Sequence, residues 1–301
     1  MIKGLAITPP VLGRICIGRV VEKNGKRVPE KDDQFTITSQ VQGKDGWVLH
    51  PFDETLRKAS LNGKLRSIPV RLLFNDPDLN LRSEYSLFDR GNGRPMCVGN
   101  GDVCRRYTPI GMQALPCPSP DVCELARGGF CKPYGRLNVS LADDDELGSF
   151  IFRTTGYNSI RTLAARLAYY QGVSGDLLSC LPLQLQLRGK STTQSHRTPI
   201  YYVDLTIRSG MSLEEAIVNA RELNEQRKSI GFDQSSLDEA ARAGFANGAF
   251  EDSEEEIPAI VDEFYSEANQ DNAREPQTSR ENLSLKEKLE IKAMKQEEVQ
   301  P

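Results

Sequence analysis

Five cysteines, Cys97, Cys104, Cys117, Cys123 and Cys131, fall within 35 residues, while the rest of the 301-residue chain holds only Cys16 and Cys180. Thiolates are soft ligands, and four of them gathered in a Gly- and Pro-rich stretch make the ligand set of a tetrahedral zinc site. The segment 91–133 has that composition. Its apolar residues, Met96, Val98, Ile110, Leu115, Val122, Leu125 and Phe130, follow no period. A structural zinc would supply folding energy that such a segment lacks on its own. Cys117, Cys123 and Cys131 form a compact group, and Pro116, Pro118 and Pro120 stiffen the turn that presents the first of them. The fourth ligand is Cys97 or Cys104. Cys97 is favoured because Gly99-Asn100-Gly101 follows it and allows the backbone to wrap tightly around an ion. Four protein ligands leave no open position, so the Zn2+ is expected to be structural, not catalytic. Buried thiols without a metal are the plainer alternative.

A second cluster is cationic. Arg188, Lys190, His196 and Arg197 stand among small hydroxyl and amide residues between two predicted strands, which suits a hairpin tip that contacts phosphates. An ordinary exposed loop is the alternative. Gly189-Lys190-Ser191 does not make a P-loop, because Gln184 stands where that motif needs another glycine. His50 and His196 have no nucleophile or paired carboxylates beside them in the sequence, and His50, next to Trp47 and Pro51, reads as a packed residue. Asp143 to Glu146 reads as a solvated turn. No catalytic residue and no small-molecule substrate are expected.

The elements that must carry these residues are mostly short strands. Arg14 to Val21 and Phe35 to Thr38 flank the hairpin signal Asn24-Gly25. Ile68 to Phe74 and Tyr85 to Phe88 are separated by the turn formers Asn75-Asp76-Pro77-Asp78. Leu137 to Leu141, Phe150 to Arg153, Leu183 to Leu187 and Ile200 to Ile207 complete the set. Ile160, Leu163, Ala164, Leu167 and Ala168 recur at helical spacing behind a candidate N-cap at Ser159, with Arg161 and Arg166 off that face. Ser212 and Glu215 form a capping box ahead of Ala216, Ile217, Ala220 and Leu223. The expected fold class is α+β: a mostly antiparallel sheet with two or three helices, a long zinc-binding loop insertion and a disordered acidic C-terminal tail.

Charge divides the chain. Residues 231–301 hold 7 Lys/Arg against 18 Asp/Glu, and residues 1–230 hold 31 against 24, so a body of +7 precedes a tail of −11. A basic body suits an anionic partner such as DNA, and the tail could compete for it. The tail is too polar to order itself, apart from a possible short helix at 284–296. No apolar run approaches the ~18 residues that span a bilayer, and residues 1–10 lack a signal-peptide pattern. A cytoplasmic protein without membrane contact is expected. Its reducing compartment favours thiols over disulfides.

The order of motifs resembles the recombination directionality factors that accompany large serine integrases, and related metal-binding proteins of mobile elements. The matching features are Gly13 to Gly18, Asp33 to Thr38, Cys97 to Asp102, Pro116-Cys117-Pro118, Cys123, Gly129 to Pro133, Thr154 to Tyr157, Leu183 to Leu187 and Ile200 to Thr206. The resemblance covers roughly residues 4–225 and implies the ligand set Cys97, Cys117, Cys123 and Cys131, with Cys104 spare. It implies a non-enzymatic accessory protein that binds a site-specific recombinase to set the direction of recombination, with DNA as a second candidate partner. Two rival readings remain: a DNA- or single-strand-binding protein of replication or homologous recombination, and a metal-dependent hydrolase, which would need an open coordination position.

Overall fold

The computed structural model describes residues 10–247, apart from 24–25, 44–45, 61, 142–147, 192, 194–196 and 198, together with residues 261, 264 and 265. The chain divides into the units Met1–Phe264 and Tyr265–Pro301. In chain order the larger unit forms strands β1 (Val11–Lys23), β2 (Lys26–Gly43) and β3 (Gly46–Leu49), then helix α1 (Pro51–Ala59). Next come β4 (Ser67–Leu72), the single-turn α2 (Pro77–Asn80), β5 (Leu81–Phe88), β6 (Pro95–Gly99), β7 (Val103–Thr108) and β8 (Gly111–Pro116). Then follow β9 (Lys132–Leu141), β10 (Ser149–Thr154), α3 (Tyr157–Ser174), β11 (Leu183–Lys190), β12 (Ile200–Ile207), α4 (Leu213–Ser229) and α5 (Gln234–Asn247). The fold is α+β, with an open, mostly antiparallel sheet; among the described residues only β1 and β10 pair in parallel.

Strand β9 is the hub. One edge pairs with β10, and the other is shared: β5 pairs along residues 132–137 and β4 along 139–141. β4 and β5 therefore run end to end, with α2 looped out between them. From this junction β11 and β12 extend one branch, and β6, β7 and β8 extend the other.

Alternation explains the strands that hold the core. Ile68, Val70 and Leu72 are buried along β4 while their neighbours are not. β11 lies between β4 and β12, so even Gln184 is buried, and it pairs with Ser209. Helix α3 buries Ile160, Leu163, Leu167 and Tyr170, in one core with Leu137, Phe152, Val203 and Leu205. Each such side chain contributes roughly 1.5–3 kcal/mol by leaving water. Gly175, at φ 65°, ends α3 in the left-handed conformation that glycine adopts without penalty.

The expected capping box is present: Ser212 and Glu215 open α4, which buries Ala216 and Ala220. Ser159 is not the cap of α3. Gly156 is, and the buried Ser159 hydroxyl instead accepts the Val203 N–H at 3.1 Å, tying α3 to β12. α1 is an element that strand periodicity hides. His50 caps it, its Nδ1 accepting the Phe52 N–H at 3.2 Å, and packs against Phe52 and Phe150.

Residues 234–247, assigned by composition to the acidic tail, form α5. Ala241 is buried with Phe74 and Leu79 beside α2, a contact too small to leave a periodic signature. The Asn24-Gly25 turn, the Asp143 to Glu146 turn and the suggested helix at 284–296 lie outside the described residues. Among the described residues, no helix is long and apolar enough to cross a membrane.

Candidate metal centre and basic face

The cysteine-rich stretch is not an irregular loop throughout, because β6, β7 and β8 form an antiparallel arm off the edge of β5. Pairing Cys97 with Arg106 and Gly99 with Cys104 places all four on one face of the arm. Val103, Tyr107 and Met112 alternate onto the other face, where they are 60%, 65% and 45% exposed, and Ile110 in the β7–β8 turn is 82% exposed. This division explains the missing period: one face carries thiols and a guanidinium, and on the other Val103, Tyr107 and Met112 meet water while Val98 is buried.

Gly99 makes room for sulfur. A Cβ at position 99 would stand 2.6 Å from the Cβ of Cys104 and 3.0 Å from Cys117 Sγ. Asn100 holds the β6–β7 turn that follows, its side-chain oxygen accepting the N–H groups of Asp102 and Val103, both at 2.9 Å. The Cys117 N–H donates to the Asp102 carbonyl at 2.8 Å, fixing that thiol beside the β6–β7 turn. Cys123 is brought in by a turn at Ser119 (φ 65°), whose carbonyl accepts the Cys123 N–H at 3.1 Å. Cys131 directly precedes β9.

The five thiols influence one another electrically. Burial, with smaller contributions from Cys97, Cys117, Cys123 and Cys104 in that order, pushes the Cys131 thiol up to about 12. Burial pushes Cys104 up to about 11, reinforced by a hydrogen bond with Cys97. Arg106 faces the cluster, with Nη2 4.0 Å from Cys104 Sγ. A hydrogen bond to Cys97 raises the Arg106 pKa, and Cys97, Cys104 and Cys123 add to the rise. All seven cysteines of the chain stand as thiols. Among the described residues, no group of three or more His, Cys, Asp or Glu side chains is arranged to hold a metal ion as it stands. The sulfurs are neighbours but not a closed cage. The donor set, the Gly99 cradle and the facing cation nevertheless fit a thiophilic ion, since a tetrathiolate zinc centre carries net negative charge.

The predicted cations of the β11–β12 hairpin take different places. His196 lies outside the described residues, and Arg197 is exposed at φ 63°. Arg188 turns back onto the body, its Nε 2.6 Å from Oδ2 of the buried Asp204, while Arg166 of α3 holds Oδ1 at 3.0 Å. Lys190 donates to Asn158 at 2.8 Å and stands 5.8 Å from the Tyr202 ring. The surface that results is broader than a hairpin tip. It joins Arg188 and Lys190 to Asn158 and Arg166 of α3, a helix without an acidic residue.

A family profile described as Gp3-like, recombination directionality factor-like, matches residues 12–208. The chain belongs to this family. No curated protein and no solved structure gives a significant match. The Gp3-like match runs from β1 to the end of β12, so it takes in the whole sheet, the cysteine arm and α3, and stops short of α4 and α5. The family's name connects the chain with DNA recombination and its direction. Within this Gp3-like core, sequence reasoning overlooked Arg106. The signal was available, since Arg106 lies two residues after Cys104 and so shares its face on any strand.

Proposed function

We propose that this chain is a zinc-stabilised accessory protein of mobile-element DNA recombination that binds a serine integrase-like recombinase and sets the direction of the reaction. The observation that carries this reading is the family match, which spans the cysteine arm and the sheet from which it projects. Cys97, Cys117, Cys123 and Cys131 would hold a structural Zn2+, with Arg106 balancing its thiolate charge. The ion would supply folding energy to the arm and no reactive water. The exposed Val103, Tyr107, Ile110 and Met112 are the recombinase-docking residues, because apolar side chains grouped on a polar protein's surface favour burial against a partner. The protein acts by binding and not by catalysis. It binds the excision-competent arrangement of recombinase on DNA more tightly than the integration-competent one and so shifts the population between them.

The test is recombination in vitro with the recombinase of the same element. Adding this chain should promote excision and suppress integration, and Tyr107→Ala with Ile110→Ser should remove both effects without unfolding the protein. Unchanged product ratios with the cognate recombinase would contradict the proposal.

The basic face of α3, β11 and β12 favours a second reading, direct binding to DNA or single-stranded DNA without an integrase. Arg166, Arg188 and Lys190, with Tyr202 beside Lys190, suit phosphates and stacked bases. Tight, strongly salt-dependent binding to naked DNA in the absence of a recombinase would favour it.

A further inference from the structure

Phe264 lies well beyond α5, in a polar part of the sequence, yet it is fully buried. Its ring meets Phe88 edge-on at 4.9 Å and Tyr134 at 5.9 Å, and those two rings meet each other at 5.5 Å. Lys132 completes the enclosure. Its Nζ donates to the Phe264 carbonyl oxygen at 3.0 Å and stands 5.3 Å from the ring centroid. The register pairs Glu84 with Tyr134 and Ser86 with Lys132, so strand alternation puts Phe88, Lys132 and Tyr134 on one face of the sheet. Gly135 points the other way, where a Cβ would meet Ile160 of α3 at 2.8 Å. The cleft therefore faces away from α3, and Phe264 covers it.

An aromatic anchor seated between two rings, with its main chain held by a side chain of the host, is the anatomy of a peptide in a recognition groove. The charges agree. Residues 251–263 carry seven Asp/Glu and no Lys or Arg, whereas Lys132 lines the cleft and Arg90 and Arg94 lie in the turn that follows Phe88. We infer that the Phe88–Tyr134–Lys132 cleft is a docking site for a short acidic segment that ends in an aromatic residue, and that the chain fills it in cis with Phe264, the residue that ends its acidic run. Lys132 directly follows Cys131, so the cleft lies at the root of the cysteine arm.

The experiment titrates a fluorescein-labelled synthetic peptide of residues 251–265 with the full-length chain and with full-length Phe264→Ala. The variant, whose cleft is vacated, should bind the peptide at least about tenfold more tightly than the parent chain. Lys132→Ala added to that variant, or raised salt, should weaken the binding. Equal affinity for both chains, or no binding by either, overturns the inference. A second design covers the case in which Phe264→Ala does not fold. A protease site placed after residue 249 lets the C-terminal piece be cut from an already folded wild-type chain. That piece should remain bound through gel filtration and leave when excess 251–265 peptide is added. Departure without competitor overturns the inference.

Discussion

Gly99 and Cys117 are held in contact across the β6–β7 turn: a Cβ added at position 99 would lie 3.0 Å from Cys117 Sγ, and closer still to the Cβ of Cys104. The thiol cannot retreat easily, because its backbone N–H is tied to the Asp102 carbonyl. Gly99→Ala should therefore cost about 1–3 kcal/mol by overpacking. It should also release zinc to a chelator at lower concentration than the parent chain does. Retention of zinc equal to the parent's would show that the cradle is not part of the site.

Asp53 is the fastening of α1 to β2. Its carboxylate accepts the Ile37 N–H at 2.8 Å and pairs with Arg57 at 2.5 Å, and Arg57 in turn donates to the Phe35 carbonyl at 2.7 Å and to Gln34 at 2.6 Å. Arg57 is 25% exposed and Asp53 only 2%, so Asp53→Ala should lower stability by about 2–3 kcal/mol. In urea unfolding the midpoint should fall while the slope stays the same. A shift under about 0.5 kcal/mol would place the helix's anchoring elsewhere.

Asp204 sets one negative charge between two cations, Arg166 of α3 and Arg188 of β11. Its two oxygens engage Arg166 and Arg188, each about half exposed on the other side of the pair. Asp204→Asn keeps the shape and removes the charge, so it should destabilise the fold by about 1–2 kcal/mol. If α3, β11 and β12 meet DNA, the same change should tighten binding to naked DNA at low salt several-fold and steepen its salt dependence. Affinity unchanged at every salt concentration would remove DNA from that face.

The capping box of α4 gives a pH dependence with a defined sign. Hydrogen bonds from the Ser212 backbone and side chain lower the Glu215 pKa below its usual value of 4.5. A depressed folded pKa means that the stabilisation is present above the unfolded value and lost as pH falls through the folded one. The protection factors of the first-turn amides of α4, measured against the intrinsic exchange rate at each pH, should fall on acidification below about pH 4.5. Glu215→Gln should flatten that response. An identical acid response in the variant would assign it to other carboxylates.

Legibility followed burial. β4, β9, β11, β12 and the α3 stripe were readable because Ile68, Val70, Leu137, Leu163 and Leu185 place their apolar period in one core. The arm was not, since its inner face is built of Cys97, Cys104 and Arg106 and its outer face leaves Tyr107 and Ile110 in water. Local pattern also misassigned Ser159, whose hydroxyl serves a strand distant in sequence instead of its own helix end. The thiol cluster was visible from composition alone. Its facing cation, Arg106, was signalled only by its spacing of two from Cys104, and the pairing of Cys97 with Arg106 across β6 and β7 makes the relationship explicit. Phe264 carried no local signal, because its partners Phe88 and Tyr134 are far away in the chain.

The most direct measurement is metal analysis of the full-length chain, purified under reducing conditions, alongside each single Cys→Ser variant. The account predicts one zinc per chain. It predicts loss of that zinc and unfolding of the arm in Cys97→Ser, Cys117→Ser, Cys123→Ser and Cys131→Ser, with zinc retained in Cys104→Ser. A parent chain that purifies without zinc and does not take it up, or a set of variants that all keep it, would contradict the account.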